Sequence, residues 1–428
     1  MHKNQRTRLI LSVLLTLALN PKAFAAGSGG LRDETPDAGA FGMGSAFVGD
    51  ASTPAAVYYN PAGMNQIKTT TFTAGDIAIA PQASFKSAAT GNHYTNDRKI
   101  YNIPDFYAVT PINKKLSLGV GAGSYWGLGD KWGGDSPLRY ATTAATLVVQ
   151  DYMLAASYKV TDQWTVAVSL DNDWAVGNQT QKVNLSTYSL PDGTVQIKQN
   201  SDAWGYRIAT MFRINDKNQI GLMYRSRIDH RFSGKAYADG MSPLLTSNSY
   251  ETKVTDKETF PQSVVIGYDF KPTKKWKINF DLEWFDWSQL QQVNLNFPNE
   301  TNAQNKTVLA GFTPISYKWH STWSEAIGTE YAVTDKFRVR AGYYHHTSVG
   351  PNATFTPEIP DMNSHGITTG FGYDINRHLT LDISYGIAFY EPRTVYGNTA
   401  LSGPNGAGIN GDYREITNFG AASLTYKF

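Results

Sequence analysis

From about residue 66 onward the chain alternates apolar and polar residues with a period of two. Trp276, Ile278, Phe280, Leu282 and Trp284 are apolar, with Lys277, Asn279, Asp281 and Glu283 between them. Leu379, Leu381, Ile383, Tyr385, Ile387 and Phe389 are separated by Thr380, Asp382, Ser384, Gly386 and Ala388. Residues 337–343 and 164–170 repeat the pattern. Neighbouring side chains of a strand point to opposite faces, so each segment predicts a β-strand with one apolar and one polar side.

A soluble sandwich alternates too, but three features separate the cases. The polar face carries Gly, Ser, Asp and Arg, which suits a wet or plugged lumen. Trp164, Trp276, Trp284, Tyr343, Tyr385 and Phe389 lie at the ends of the apolar face, as in the aromatic girdles of a membrane barrel. Connections alternate between short and long. Short ones are read at residues 112–115, 161–163, 215–218, 271–275, 334–336 and 375–378. Long ones are read near 81–100, 127–146, 177–202, 233–262, 288–322, 346–364 and 391–411. Six turns and seven loops join about fourteen strands. In lipid every backbone polar group must be paired within the protein, so the sheet must close. The prediction is an all-β fold, a transmembrane antiparallel barrel. Its first two strands, near 66–80 and 101–110, alternate least.

The segment before the barrel divides in two. His2, Lys3, Arg6 and Arg8 precede the apolar run of residues 9–19, and Ala23-Phe24-Ala25 follows. Eleven apolar residues are too few to span a bilayer as a helix, and the small residues suit a cleavage site. Residues 1–25 therefore read as a secretory signal peptide, and its removal turns the net charge from +2 to −2. Nothing in that balance points to nucleic acid. Residues 26–65 do not alternate and are rich in Gly and Ala. They read as a hatch filling the lumen, with a periplasmic tail as the alternative. The barrel is assigned to 66–428. Phe428, Tyr426, Leu424 and Ala422 form an apolar final strand whose terminal aromatic resembles the signal read by the barrel insertion machinery.

The remaining composition narrows the chemistry. Zero cysteine excludes disulfides and thiol catalysis. Charged residues make up 17% and mean hydropathy is −0.36, which excludes a bundle of membrane helices. No G-x-S-x-G, H-E-x-x-H or phosphate-binding loop is present. His345-His346 are adjacent on a strand and so point apart. No catalytic residue, metal or cofactor is expected.

The run 42–51 (Gly-Met-Gly-Ser-Ala-Phe-Val-Gly-Asp-Ala), followed by Asn60-Pro61-Ala62-Gly63-Met64, resembles the hatch of the outer-membrane long-chain fatty acid transporters and their toluene- and hydrocarbon-importing relatives. Trp204-Gly205-Tyr206, Tyr224-Arg225-Ser226, Phe232-Ser233-Gly234 and Trp287-Ser288-Gln289 extend the resemblance along the chain. Pro61 restricts Asn60 and makes a rigid corner. The resemblance implies a passive importer of hydrophobic compounds in the bacterial outer membrane, by default of long-chain fatty acids. It implies a hatch that moves, and a third strand kinked to let ligand leave sideways into the membrane. Gly119, Gly121, Gly123 and Gly127 are the kink candidates, with packing against the hatch as the alternative. Phe41, Phe47, Trp126, Leu128 and Trp132 are the ligand-binding candidates. The last three lie in a loop read as an exposed apolar cluster or a self-packed lid. Val176 stands where fatty acid members carry a cation for the ligand carboxylate. Arg207, Arg213, Arg338 and Arg340, on lumen faces, could compensate. Expected partners are a fatty acid or hydrocarbon, and outer-membrane lipid and lipopolysaccharide. A monomer is expected. A general polar pore and an outer-membrane hydrolase are the competing readings.

Overall fold

The structure is a computed structural model describing residues 29–32, 37–242, 244–398 and 408–428. The signal-peptide reading falls outside them. Fourteen barrel strands run in chain order: β1 (Thr71–Ser87), β2 (Tyr101–Pro111), β3 (Leu116–Gly123, resuming as Gly127–Lys131), β4 (Ala144–Lys159), β5 (Trp164–Val183), β6 (Gly193–Asn215) and β7 (Asn218–Arg225, resuming as Ile228–Asp239). They continue as β8 (Ser249–Phe260, resuming as Ser263–Thr273), β9 (Trp276–Phe285), β10 (Thr322–Ala332), β11 (Phe337–His346), β12 (Ser364–Asp374), β13 (Leu379–Tyr390) and β14 (Gly411–Lys427). Each pairs antiparallel with the next. β14 pairs with β1 from Thr71↔Lys427 to Ser87↔Gly411, so the sheet closes.

The outward face is apolar through the bilayer: Leu154, Val168, Ile208, Leu222 and Ile367 are exposed. The inward face holds Ser157, Ser169, Asp171, Asp281 and Ser384, all buried. All six predicted tight turns are present, and each has a local cause. Asn113, Asn215 and Asn376 accept backbone N–H groups two or three residues on. Thr161, Thr273 and Thr334 do the same with their hydroxyls. Such side chains imitate a backbone turn and hold it tight.

Several long-loop boundaries need correction. β5 and β6 pair as far as Val183↔Gly193, and β7 and β8 as far as Asp239↔Ser249. These extensions lie beyond the bilayer, where the membrane pattern inverts. On upper β7 the outward residues Asp229, Arg231, Ser233 and Lys235 are exposed, while Ile228, Phe232 and Ala236 are buried inside. An apolar outer face is required only in lipid, so its loss marks the membrane edge and not the strand end. The first strand also starts later than expected, because Pro61–Gln66 is a 3-10 turn.

Candidate functional site

Residues 37–66 fill the lumen. Helix α1 (Ala38–Phe41), helix α2 (Ala56–Tyr59) and the 3-10 turn are almost wholly buried. Three helical pieces this short satisfy few of their own backbone groups, so the wall supplies partners. Asp281 accepts Phe47 N–H and Val48 N–H, both at 2.8 Å. Two residues earlier, Asn279 donates to Ala46 O at 2.9 Å, and two before that Lys277 pairs with Asp50 at 2.7 Å. The polar face of β9 is thus a three-rung rack for residues 46–50. Gln219 donates to Gly49 O at 2.7 Å, and Ser384 to Ala38 O at 2.5 Å.

Close approach also needs missing side chains. Gly221 faces Gly267 across β7 and β8, and Gly328 faces Gly342 across β10 and β11. A Cβ on Gly267 would stand 2.8 Å from the Val48 carbonyl carbon and nearer still to Gly49 N. One on Gly328 or Gly342 would overlap the Met43–Gly44 backbone. Alternation alone marks these positions only as lumen-facing and carries no signal of the close approach.

The four residues Asn60, Pro61, Ala62 and Gly63 lie together against β4, β6 and β7. Asn60 is fully buried; its amide donates to Val48 O at 3.0 Å and its oxygen accepts Ala62 N–H at 3.0 Å. The residue therefore ties both arms of the plug together besides forming a corner. A Cβ on Gly63 would collide with the Ala51 carbonyl.

The wall is interrupted at β3. Gly123 pairs with Asp151 and Gly127 with Val148, so three residues of β3 face two of β4. The β2–β3 ladder ends at Phe106↔Ala122, while Tyr101–Asp105 pairs only with β1. The ladder between β2 and β3 is thus unpaired over this stretch, and is rejoined above by the bridge Asn96↔Trp132 and by Asp97 N–H to Lys131 O at 2.8 Å. Gly123 and Gly127 flank the break. Gly119 and Gly121 do not; they sit in regular pairing and make room for Val57 and Met64 of the plug. On the lumen side the N-terminal segment spans the break, with Gly127 N–H donating to Leu31 O at 2.8 Å and Arg32 bridging Trp126. Arg32 pairs with Glu283 at 3.0 Å.

Of the two readings of this loop, the exposed apolar cluster is not what the structure has: Trp126, Leu128 and Trp132 are buried. The strand break turns both tryptophans inward. Trp126 packs edge-on against Phe260, Phe285 and Trp287 at 5.2–6.0 Å. Trp132 lies in a separate cluster and donates to Pro357 O at 3.0 Å. Phe41 packs on Phe419 at 5.5 Å, and Phe47 edge-on against Tyr59 at 5.3 Å. Of the five ligand candidates, Leu128 reaches the upper lumen space. There two cavities of about 140 and 90 Å³ share Gln179, Ile197 and Glu358. Leu31, Leu147, Phe232 and Ile359 also line it. Phe232 was legible in principle, through the inverted alternation of upper β7. Below the plug a cavity of about 440 Å³ faces the short-turn end, and Phe47 lines it.

Each arginine expected on the lumen face has a partner among the described residues. Arg207 pairs with Asp151 and, at 3.0 Å, with Asp171; Arg225 pairs with Asp151 and Asp173. Arg340 is held by Glu330 and Asp382 at 2.7 Å each, and Arg338 by Asp374 at 3.0 Å. Arg213 donates to Asp162 O in a turn. Val176 alternates onto the outward face, opposite Val148. The upper cavities carry Glu258 and Glu358 instead. Burial pushes the Glu358 carboxyl up to about 7, against hydrogen bonds from Gln179 and Thr356 that pull it down.

A closed fourteen-stranded barrel, stoppered from its own N-terminal end and hollowed by cavities of mixed apolar and polar lining, has the architecture of an outer-membrane transporter of hydrophobic compounds. Residues 23–428 match the family model described as outer membrane protein transport protein (OMPP1/FadL/TodX), and the chain belongs to that family. It is 21% identical to the long-chain fatty acid transport protein of Escherichia coli, over 83% of this chain and 86% of that one. The crystal structure of a Pseudomonas aeruginosa FadL homologue superposes with a TM-score of 0.81 at 17% identity, covering 93% of this chain and all of the other. The Pseudomonas putida toluene transporter TodX gives 0.72 at 16%, covering 96% and 99%.

Proposed function

We propose that this protein is a passive importer of uncharged hydrophobic compounds, which enter through the upper lumen cavities and leave sideways between β2 and β3. The observation that carries the reading is the juxtaposition of those cavities with the β3 interruption. Leu128, four residues past Ser124, lines the cavity, and Leu31 covers the break from within. Ligand taking that path need not pass the rack on β9, so the plug can stay seated.

The preference for uncharged cargo over a fatty acid anion rests on charge. Burying a carboxylate without a partner is costly. Each lumen arginine named above already has a carboxylate or carbonyl partner, and the cavity adds two carboxylates of its own. The toluene transporter among the structural relatives makes an aromatic hydrocarbon a natural first probe. Equilibrium binding of labelled toluene and labelled oleate to the purified protein tests the preference. Saturable toluene binding that oleate does not displace is expected; tight, saturable oleate binding alone would overturn it.

A further inference from the structure

The outward face of the sheet above the membrane edge carries an array of cations on β6, β7 and β8. Lys198 stands opposite Lys235, and Lys235 opposite Lys253, so three lysines form one row across three strands. Nearer the membrane, Arg231 stands opposite Lys257. Arg227 lies at the β7 break itself, where the apolar outer face ends. Like charges directly opposite one another weaken strand pairing, so the arrangement has a cost within the protein.

Carboxylates offset only part of it. Glu251 pairs with Lys235 at 2.5 Å and Asp229 with Lys257 at 3.4 Å. Lys198 lies 5.7 Å over the Tyr237 ring. Among the described residues no carboxylate comes within 4.0 Å of Lys198, Arg227, Arg231 or Lys253. Across the barrel the outward groups at similar height are mixed, with Glu325 beside His345 and His365 beside Glu391 at 3.1 Å. Among the described residues Lys86 on β1 and Arg414 on β14 are also exposed with no carboxylate within 4.0 Å, so what distinguishes β6–β8 is the row of facing cations and not their being the only unmatched ones.

Height selects the partner. The apolar belt just below is marked by Trp204 and Tyr206 on β6, both exposed. Arg231 lies four residues beyond the β7 break, and Lys235 eight. At about 3.3 Å per residue and a strand tilt of about 40°, these stand roughly 10 and 20 Å above the belt. An ammonium or guanidinium at those two levels, over a hydrocarbon surface, fits a lipid whose acyl chains lie against the belt and whose sugar headgroup carries phosphates. We propose that strands β6–β8 form a specific binding surface for phosphorylated lipid A of the outer leaflet. Arg227, Arg231 and Lys257 meet the glucosamine phosphates, and Lys198, Lys235 and Lys253 meet anionic groups further out. This surface is independent of which compound crosses the lumen.

The test uses the purified mature protein in detergent, native mass spectrometry, and bis-phosphorylated lipid A against the same lipid with both phosphates removed. Charge-assisted contacts from several cations predict retention of the phosphorylated lipid at least about tenfold tighter. The triple variant R227E/R231E/K257E is expected to lose that difference, and R231K/K257R to keep it. Heat-modifiable gel mobility shows that each variant is folded, because the changed side chains lie outside the sealed wall. Equal retention of both lipids by the parent protein, undiminished preference in the folded triple variant, or full displacement by millimolar inorganic phosphate would each overturn the proposal.

Discussion

The carboxylate of Asp281, on β9, accepts the backbone N–H of Val48, in the plug, at 2.8 Å, across 233 residues of chain. The same oxygen accepts Phe47 N–H. A charged acceptor bonded to two backbone donors is the shortest route by which the wall holds the stopper. Removing it in Asp281→Ala leaves two buried donors without partners, at a cost of about 1–3 kcal/mol each. We expect the variant to assemble normally and to pass more ion current in planar bilayers than the parent. Unchanged current would mean that the rack on β9 is not what seats the plug.

The glycine pairs make a separate prediction. Gly267→Val forces a side chain into the Val48–Gly49 backbone, whereas Gly420 has open space around its would-be Cβ. Overpacking of this kind costs about 1–3 kcal/mol, and more where backbone must shift. Gly267→Val should displace residues 46–50, seen as faster proteolysis of the plug from the periplasmic side, while Gly420→Ala should match the parent.

Much of this fold could be read from the chain, for identifiable reasons. Membrane strands expose one apolar face to lipid, so their period survives in the sequence, and Asn113, Asn215 and Asn376 announce the tight turns. The strand extensions read as loops in the sequence because Arg231 and Lys235 take the outward positions that Leu222 and Tyr224 hold within the bilayer. The site was less legible. Trp126 and Trp132 look alike in sequence, yet a one-residue surplus on β3 sends them into different clusters. Leu31 and Ile359 reach the cavity only through closure of the barrel, which local pattern does not encode.

Glu358 gives the site a pH dependence. Its carboxyl ordinarily titrates near 4.5 and is raised by burial to about 7 in the folded protein. The folded state therefore holds the proton more tightly, and the stabilisation this confers is complete below about 4.5 and lost as pH rises through about 7. An uncharged ligand that dries the cavity further raises this carboxyl again, so its binding draws in a proton. Affinity should be roughly 2.5- to fivefold higher at pH 5 than at pH 8, for a further rise of about half to one pKa unit on binding. Glu358→Gln should flatten the profile; a slope that persists in that variant would place the titrating group elsewhere.

The most direct measurement is uptake through a resealed wall. Deleting Ser124 leaves two residues of β3 facing two of β4, which restores unbroken register from Gly123 to Gly127. Labelled toluene uptake by cells carrying the deletion, with barrel assembly verified by heat-modifiable mobility, is predicted to fall to that of cells lacking the protein. Uptake equal to the parent's from an assembled, resealed barrel would contradict passage between β2 and β3.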